Sequence, residues 1–381
     1  MADSSRAQVR YSEESTFGTT PATAMQNIRV TSESLNYNIN KTPSNEIQED
    51  RQVRDLIATD ASSDGALEIE LSYGNTDAFI EGALQSTFAA DLAISNTDIS
   101  AVASDNSINS VAGDFTNVEV GQWIKIAGFT ESANNGFAKV LTQTSTKLTL
   151  SGLTIVDKLA GDTVTVNGQT MKNGVTGKSF SIEKEFSDIT KFFVYRGMRV
   201  GSMSFNFANG SVATQSVNFQ GSSHATAGTS FGTGAATAAP TKEVMNGVDN
   251  VLNIQEGGSA ITQIQSLSLN IENNLRAQNA IGNLEPFNIG SGRCNVTGNT
   301  TIYFQDTTIY DKYINNTESS IDWRVSDAAG NTYIFTLPAI KYEKATVVAG
   351  GNDSDVMVEL DYQAIMHATL GYTIRIDKIA A

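Results

Sequence analysis

The chain repeats its own apolar pattern, and that repeat limits the fold more than any other feature. Ile182, Phe186 and Asp188 lie over Ile321, Val325 and Asp327 at an offset of 139 residues (327 − 188). At the same offset Tyr195 lies over Ile334, and Val217 and Phe219 lie over Val356 and Val358. Upstream, residues 65–69 and 78–82 resemble 298–302 and 310–314, the first pair at an offset of 233 (298 − 65). The excess of 94 (233 − 139) matches the length of a distinct Ser/Thr/Asn/Gly-rich stretch at about 90–177. The pattern predicts two duplicated domains, the first interrupted by an insertion. The expected layout is domain 1 at 1–89 and 178–220, the inserted β domain at 90–177, a flexible Gly/Ser/Ala/Thr arm at 221–240, and domain 2 at 241–381.

Local patterning is that of strands. Ile28, Val30, Leu35, Tyr37 and Ile39 alternate with polar residues, as do Leu67, Ile69, Leu71 and Tyr73, which is the period of a half-buried strand. Between them, residues 40–64 are polar and charged and read as a long connection. Phe79, Ile80, Ala83 and Leu84 fall on one face of a short helix that Asn75 or Thr76 can cap. The insertion offers short strands at 122–126, 138–141, 147–150 and 163–166, with Trp123 as its expected core residue. Further strands are expected at 180–182, 192–195, 202–207 and 216–219, and more from 261 to 375.

Composition removes several functional classes. One cysteine, Cys294, permits no disulfide framework or thiolate cluster, and two histidines, His224 and His367, do not make a multi-histidine metal site. The formal charge is −16, which disfavours binding to phosphate backbones. No apolar run reaches a membrane-spanning length, and the polar start of the chain lacks a signal-peptide pattern. Isolated motifs read as ordinary structure. His224 follows Gly-Ser-Ser in a loop-like setting without the second glycine of a nucleophile elbow. Gly232-Thr-Gly234 lacks the rest of a dinucleotide fingerprint. Residues 352–355 lack the remainder of a calcium loop. Cys294 reads as a buried thiol. No catalytic residue, cofactor site or metal site is expected.

An ordered series of segments resembles a known family. It runs from Ser15-Thr-Phe-Gly-Thr-Thr-Pro21 through Met25, Arg29 and Glu33 to Thr42-Pro-Ser-Asn-Glu46, Asp50-Arg-Gln-Val53 and Leu71-Ser-Tyr-Gly74. It continues with Arg196-Gly-Met-Arg-Val200, Asn273-Asn-Leu-Arg276, Tyr303-Phe304 and Asp311. Together they are similar to the tail tube proteins of long, non-contractile-tailed bacteriophages, over residues 1–88 and 178–375. The resemblance implies a β-sandwich or barrel with a flanking helix, polymerised into stacked rings around a DNA-conducting channel. It also implies tape measure, tail terminator and baseplate proteins as partners, a place in the virion, and assembly in the host cytoplasm. Another virion β-protein, such as a decoration or baseplate hub component, is the alternative.

Two sets of site residues follow. The resemblance makes the 40–64 loop the contact with the neighbouring ring, through Glu46, Glu49, Asp50, Arg51, Arg54 and Asp55. Outward strand residues such as Glu68 and Glu70 are expected to line an acidic channel through which DNA passes without tight binding. If each chain carries two domains, three chains complete a pseudo-sixfold ring, with a ring of six chains as the alternative. The insertion is expected to project outward from the tube.

Overall fold

The computed structural model describes residues 3–381; Met1 and Ala2, which open the first tube domain in the sequence reading, lie outside them. Half of the chain is strand and 7% is helix, so the protein is mainly β. In chain order the elements used below are β1 (Ala7–Glu13), β2 (Asn36–Pro43), β3 (Leu56–Glu70), α1 (Asp77–Leu84) and β4 (Gln169–Lys172). There follow β5 (Phe180–Phe186), β6 (Lys191–Ala208), β7 (Thr214–Gly221), β8 (Ser223–Ala227), β9 (Ile264–Glu272) and β10 (Asn295–Tyr303). The last are α2 (Thr308–Ile314), β11 (Ser319–Ser326), β12 (Thr332–Ala349), β13 (Val356–Ala364) and β14 (Arg375–Ile379). The described residues form two compact units, one of residues 3–86, Gly174–Gly247 and Gln265–Thr301, the other of Thr87–Asn173, Val248–Ile264 and Ile302–Ala381.

In the first unit, β3, β7, β6 and β9 pair antiparallel in that order. Leu67 faces Val217, Val217 faces Met203, and Met203 faces Ile271, so one apolar row crosses four strands. Phe205, Leu269 and Ile69 extend that buried face. Helix α1 covers part of the core with Phe79, Ile80, Ala83 and Leu84, all buried. Phe79 meets Phe180 and Phe219 edge-on, each at 5.1 Å. Thr76 stands at the N-cap, but its hydroxyl donates to Gln215 Oε1 at 2.8 Å instead of capping the helix. Truncating Phe79 to Ala removes a fully buried ring, a change worth about 3–5 kcal/mol.

Two segments differ from the sequence reading. Residues 40–64 are mostly strand: β2 and β3 pair from Asn36↔Asp64 out to Pro43↔Leu56, leaving 44–55 as the connection. Outward of Asp60 this hairpin arm is exposed on both faces, so no apolar alternation marks it, whereas Ala61 and Ser63 at its inner end are fully buried. The 221–240 tract is also built into the unit. It carries β8, which pairs with β6. Ser230 and the Phe231 N–H both donate to Glu183, and a side chain at Gly232 would meet Met25. Small residues let the tract pack closely where composition alone suggests a loose arm.

In the second unit, β11, β12 and β13 form an antiparallel meander, with β14 pairing to the first part of β12. Trp323 stacks on Phe335 with ring centres 5.0 Å apart. The inserted module has seven strands of its own around Ile108, Phe115, Ile124, Val140, Leu148 and Val164. Trp123 is buried, but not among these residues. It packs with Ile334 of β12 and Ile379 of β14. Beside it, β4 pairs with β14, and Lys139 approaches Asp322 at 3.3 Å. Arg375, buried, pairs with Glu119 at 2.5 Å. The module is therefore welded to the C-terminal strands by a sheet pairing and by ion pairs that each have one buried partner.

Duplication extends to backbone irregularities. Phe180↔Met198 is followed by Ile182↔Tyr195 across β5–β6, and Ser319↔Ile340 by Ile321↔Leu337 across β11–β12. Each is the same bulge, with one extra residue on the long strand. A second matched bulge separates Val200↔Phe219 from Ser202↔Asn218, and Tyr342↔Tyr362 from Lys344↔Asp361. A β-bulge bends and twists its strand locally, so both halves carry the same bends. The counterpart of Tyr195 is thus Leu337, not Ile334, and that of Val217 is Leu360, not Val356. The turn after β11 is longer than the turn after β5, which an ungapped offset of 139 does not accommodate.

Candidate functional site

The most distinctive surface is the outward face of the first unit's sheet. Because side chains alternate along each strand, burying Leu67, Val217, Phe205 and Leu269 turns their neighbours outward. Glu68 and Glu70 are exposed on β3, and Ser216 of β7 donates to Glu68 Oε1 at 2.7 Å. Asn218 donates to Ser202 Oγ at 3.1 Å. Ser268 of β9 receives the Asn299 N–H at 3.0 Å, which sets β10 alongside. Across these strands the outward residues are Ser, Thr, Asn, Gln, Ala, Asp or Glu, without one Lys or Arg between residues 202 and 208, 214 and 220, or 266 and 272. Glu272 belongs to this face with Glu68 and Glu70. The sequence reading missed it, although the alternation of 266–272 is a legible signal.

The hairpin tip holds the second set of expected residues. Glu46, Glu49, Asp50, Arg51, Arg54 and Asp55 are all exposed in the 44–55 connection. Only one ion pair forms among them, Arg54 to Asp50 at 2.8 Å. Arg51 has φ of 62°, in the left-handed region. Ile47, Val53, Leu56 and Ile57 are exposed on the same arm, Ile47 completely. The arm thus presents charge and unpacked aliphatic surface together.

Elsewhere the polar groups are engaged in structure. His224 lies on β8, not in a loop, and stacks with Tyr37 at 5.2 Å between ring centres, near Tyr195 and Phe193. Burial among these rings, aided by Arg196, holds its pKa below the ordinary histidine value. Burial pushes the Cys294 thiol up to about 11, which leaves it unreactive. A cavity of about 270 Å³ in the second unit is lined by Glu256, Tyr303, Phe304 and Tyr310 among others. Its Glu256 accepts from Lys312 at 2.7 Å, from Ser319 and from Tyr342, so the carboxylate is already committed. Among the described residues there is no group of three or more His, Cys, Asp or Glu placed to hold a metal ion. No helix of the described residues is long and apolar enough to cross a membrane.

The geometry offers a mainly β body, a polar and acidic sheet face and an extended hairpin arm, and no assembled catalytic or metal site among the described residues. The model of the family described as phage tail tube protein matches residues 4–364. The chain belongs to that family, and its role is structural, as a component of the virion tail. A comparison with curated proteins finds no match.

Proposed function

We propose that the chain forms stacked rings around a channel that conducts the phage genome, three chains to a ring. The observation that carries this reading is the outward face of β3, β7, β6 and β9. Over residues 202–208, 214–220 and 266–272 and the outward side of β3 it is neutral or acidic, with Glu68, Glu70 and Glu272 supplying charge; Arg199, opposite Gln220, is turned onto Phe17 and the Ile289 carbonyl. A basic lining would neutralise phosphates and hold the duplex through many counterion-releasing contacts. This face repels it, over a range that salt limits to about 8–10 Å. The matched bulges of the two repeats support three chains, since two alike walls per chain give six per ring. In this reading the 44–55 tip, with Arg51 and Arg54, reaches the next ring, and the inserted module lies on the outer side. Tape measure, terminator and baseplate proteins are the proposed partners within the tail. Cryo-electron microscopy of the purified protein tests the proposal. Tubes with a central channel and threefold rings are expected; discrete particles without a channel, or rings of six chains, would overturn it.

A further inference from the structure

We infer that the open edge of β12, residues 344–349, is the seat for residues 33–38 of a second copy of this chain. The inference rests on the tube reading and adds the two edges that meet and their register.

Its template lies inside the first unit. There β9 runs antiparallel along β6, with Ser202 opposite Glu272, Ser204 opposite Asn270 and Phe205 opposite Leu269. The shared bulges make β12 the counterpart of β6, so Lys344 corresponds to Ser202 and Val347 to Phe205. The segment from β9 to β10 is likewise the counterpart of the β2–β3 hairpin. Arg276 faces Gly290 in one, and Thr42 faces Ile57 in the other. In the same alignment Leu35 and Tyr37 take the places of Leu269 and Ile271, so the apolar phase is kept.

In the free chain both edges lack a strand. Among the described residues β2 pairs with β3 alone, and β12 beyond Lys341 pairs with β13 alone. Exposure records the difference. Phe205, under β9, is 0% exposed, whereas Val347 at the corresponding place is 40% exposed. Carrying the template over sets Lys344 opposite Asn38 and Thr346 opposite Asn36 on one face. On the other it sets Ala345 opposite Tyr37 and Val347 opposite Leu35. Polar meets polar and apolar meets apolar, as in the template. The partner is therefore a second copy, because only this chain carries the strand whose counterpart already fills the equivalent seat. An unpaired edge satisfies its N–H and C=O groups by such addition; at Leu35 the joining strand replaces side-chain bonds, because its N–H donates to Glu33 and its carbonyl accepts from Tyr195 and Lys184 in the free chain.

The register is testable by disulfide trapping. The Asn273 N–H donates to the Gly201 carbonyl at 2.8 Å, which marks residues 201 and 273 as a hydrogen-bonded pair. Ser204 and Asn270, three residues further along each strand, are then a non-hydrogen-bonded pair. Such pairs have Cα atoms about 4.5 Å apart, within disulfide range. The corresponding variant is Asn36→Cys with Thr346→Cys in a Cys294→Ser background. After assembly and oxidation, the non-reducing gel is expected to shift from the 40.6 kDa chain to linked dimers and trimers. Asn36→Cys with Val347→Cys, whose side chains would face opposite ways, is expected to stay single. Tubes of the first variant that yield only single chains would overturn the inference. Hydrogen exchange on the unmodified protein gives an independent reading. Amides of 344–349 and 33–38 are expected to lose exchange on assembly, and unchanged exchange in either segment overturns the pairing even if the cysteine variant fails to assemble. Absence of tubes from the unmodified protein would instead sink the tube reading.

Discussion

The buried carboxylate of Asp377 accepts the backbone N–H of Trp123 at 3.1 Å, although 254 positions separate the two residues. One hydrogen bond thereby ties the inserted module to the last strand of the chain. Around it lie the Arg375–Glu119 pair and the Trp123, Ile334 and Ile379 cluster.

Trp123→Ala is expected to destabilise the second unit by about 3–5 kcal/mol, the range for emptying a buried aromatic site. Denaturant unfolding followed through the remaining Trp323 measures it. Excising the whole module should lower the melting temperature as well, because β14 loses its β4 neighbour and Ile334 and Ile379 are uncovered. A melting temperature unchanged by either alteration would show that the weld contributes nothing.

Burial raises the Asp377 carboxyl to about 6, against the opposing pull of Arg375. Its folded pKa lies above its unfolded value, so the proton-bound form is favoured by folding. The stabilisation is fully present below the unfolded value near 4 and is lost as pH rises through about 6. Asp377→Asn keeps an acceptor for Trp123 and removes the titration. Melting temperature plotted from pH 4 to 7 should fall less steeply in the variant than in the parent.

His224 carries the opposite sign. Its folded pKa is depressed by burial, so its contribution is complete above the unfolded value near 6.5 and declines as pH falls through the folded value. His224→Phe keeps an aromatic ring against Tyr37 and should lessen acid destabilisation between pH 7 and 5. Identical acid unfolding curves for parent and variant would contradict this.

Reversing Arg51 and Arg54 to Glu should leave folding within about 1 kcal/mol, since an exposed pair such as Arg54–Asp50 contributes little. Polymer length, read by electron microscopy or sedimentation, should shorten, most at low salt. If length and salt resistance match the parent, the tip is not a contact between rings.

Glu68→Lys with Glu70→Lys converts the acidic patch to a basic one at exposed positions. Tubes should still form but should retain duplex DNA, with retention falling steeply as salt rises. Retention by the unmodified tubes at physiological salt would refute a repelling lumen.

Half-buried elements were the legible ones. Leu67, Ile69 and Leu71 alternate because one side of β3 meets the core, and Phe79, Ile80, Ala83 and Leu84 mark the buried face of α1. The acidic positions Glu68 and Glu70 could be named for the same reason. The outer hairpin was not legible, because residues such as Asn40, Thr42 and Ala58 are exposed on both faces of the arm and leave no period. Trp123 was recognised as buried, but a single aromatic residue does not say which core it enters. Its partners Ile334 and Ile379 lie more than 200 positions away. The repeat was visible at Ile182 and Ile321, yet Tyr195 was misplaced because one longer turn shifts every later position.

The two bare edges have a consequence for the chain before it finds its neighbours. An unpaired strand is a template for any other strand it meets, so a freshly made pool of this protein risks tangling. Lys41 and Pro43 on β2, and Glu343 and Lys344 on β12, are residue types that blunt such edges by charge or by a missing N–H. If the two edges meet as proposed, the same guards slow that joining too, so that growth would be favoured on an existing end that presents several contacts at once and spontaneous pairing in the free pool would be held back.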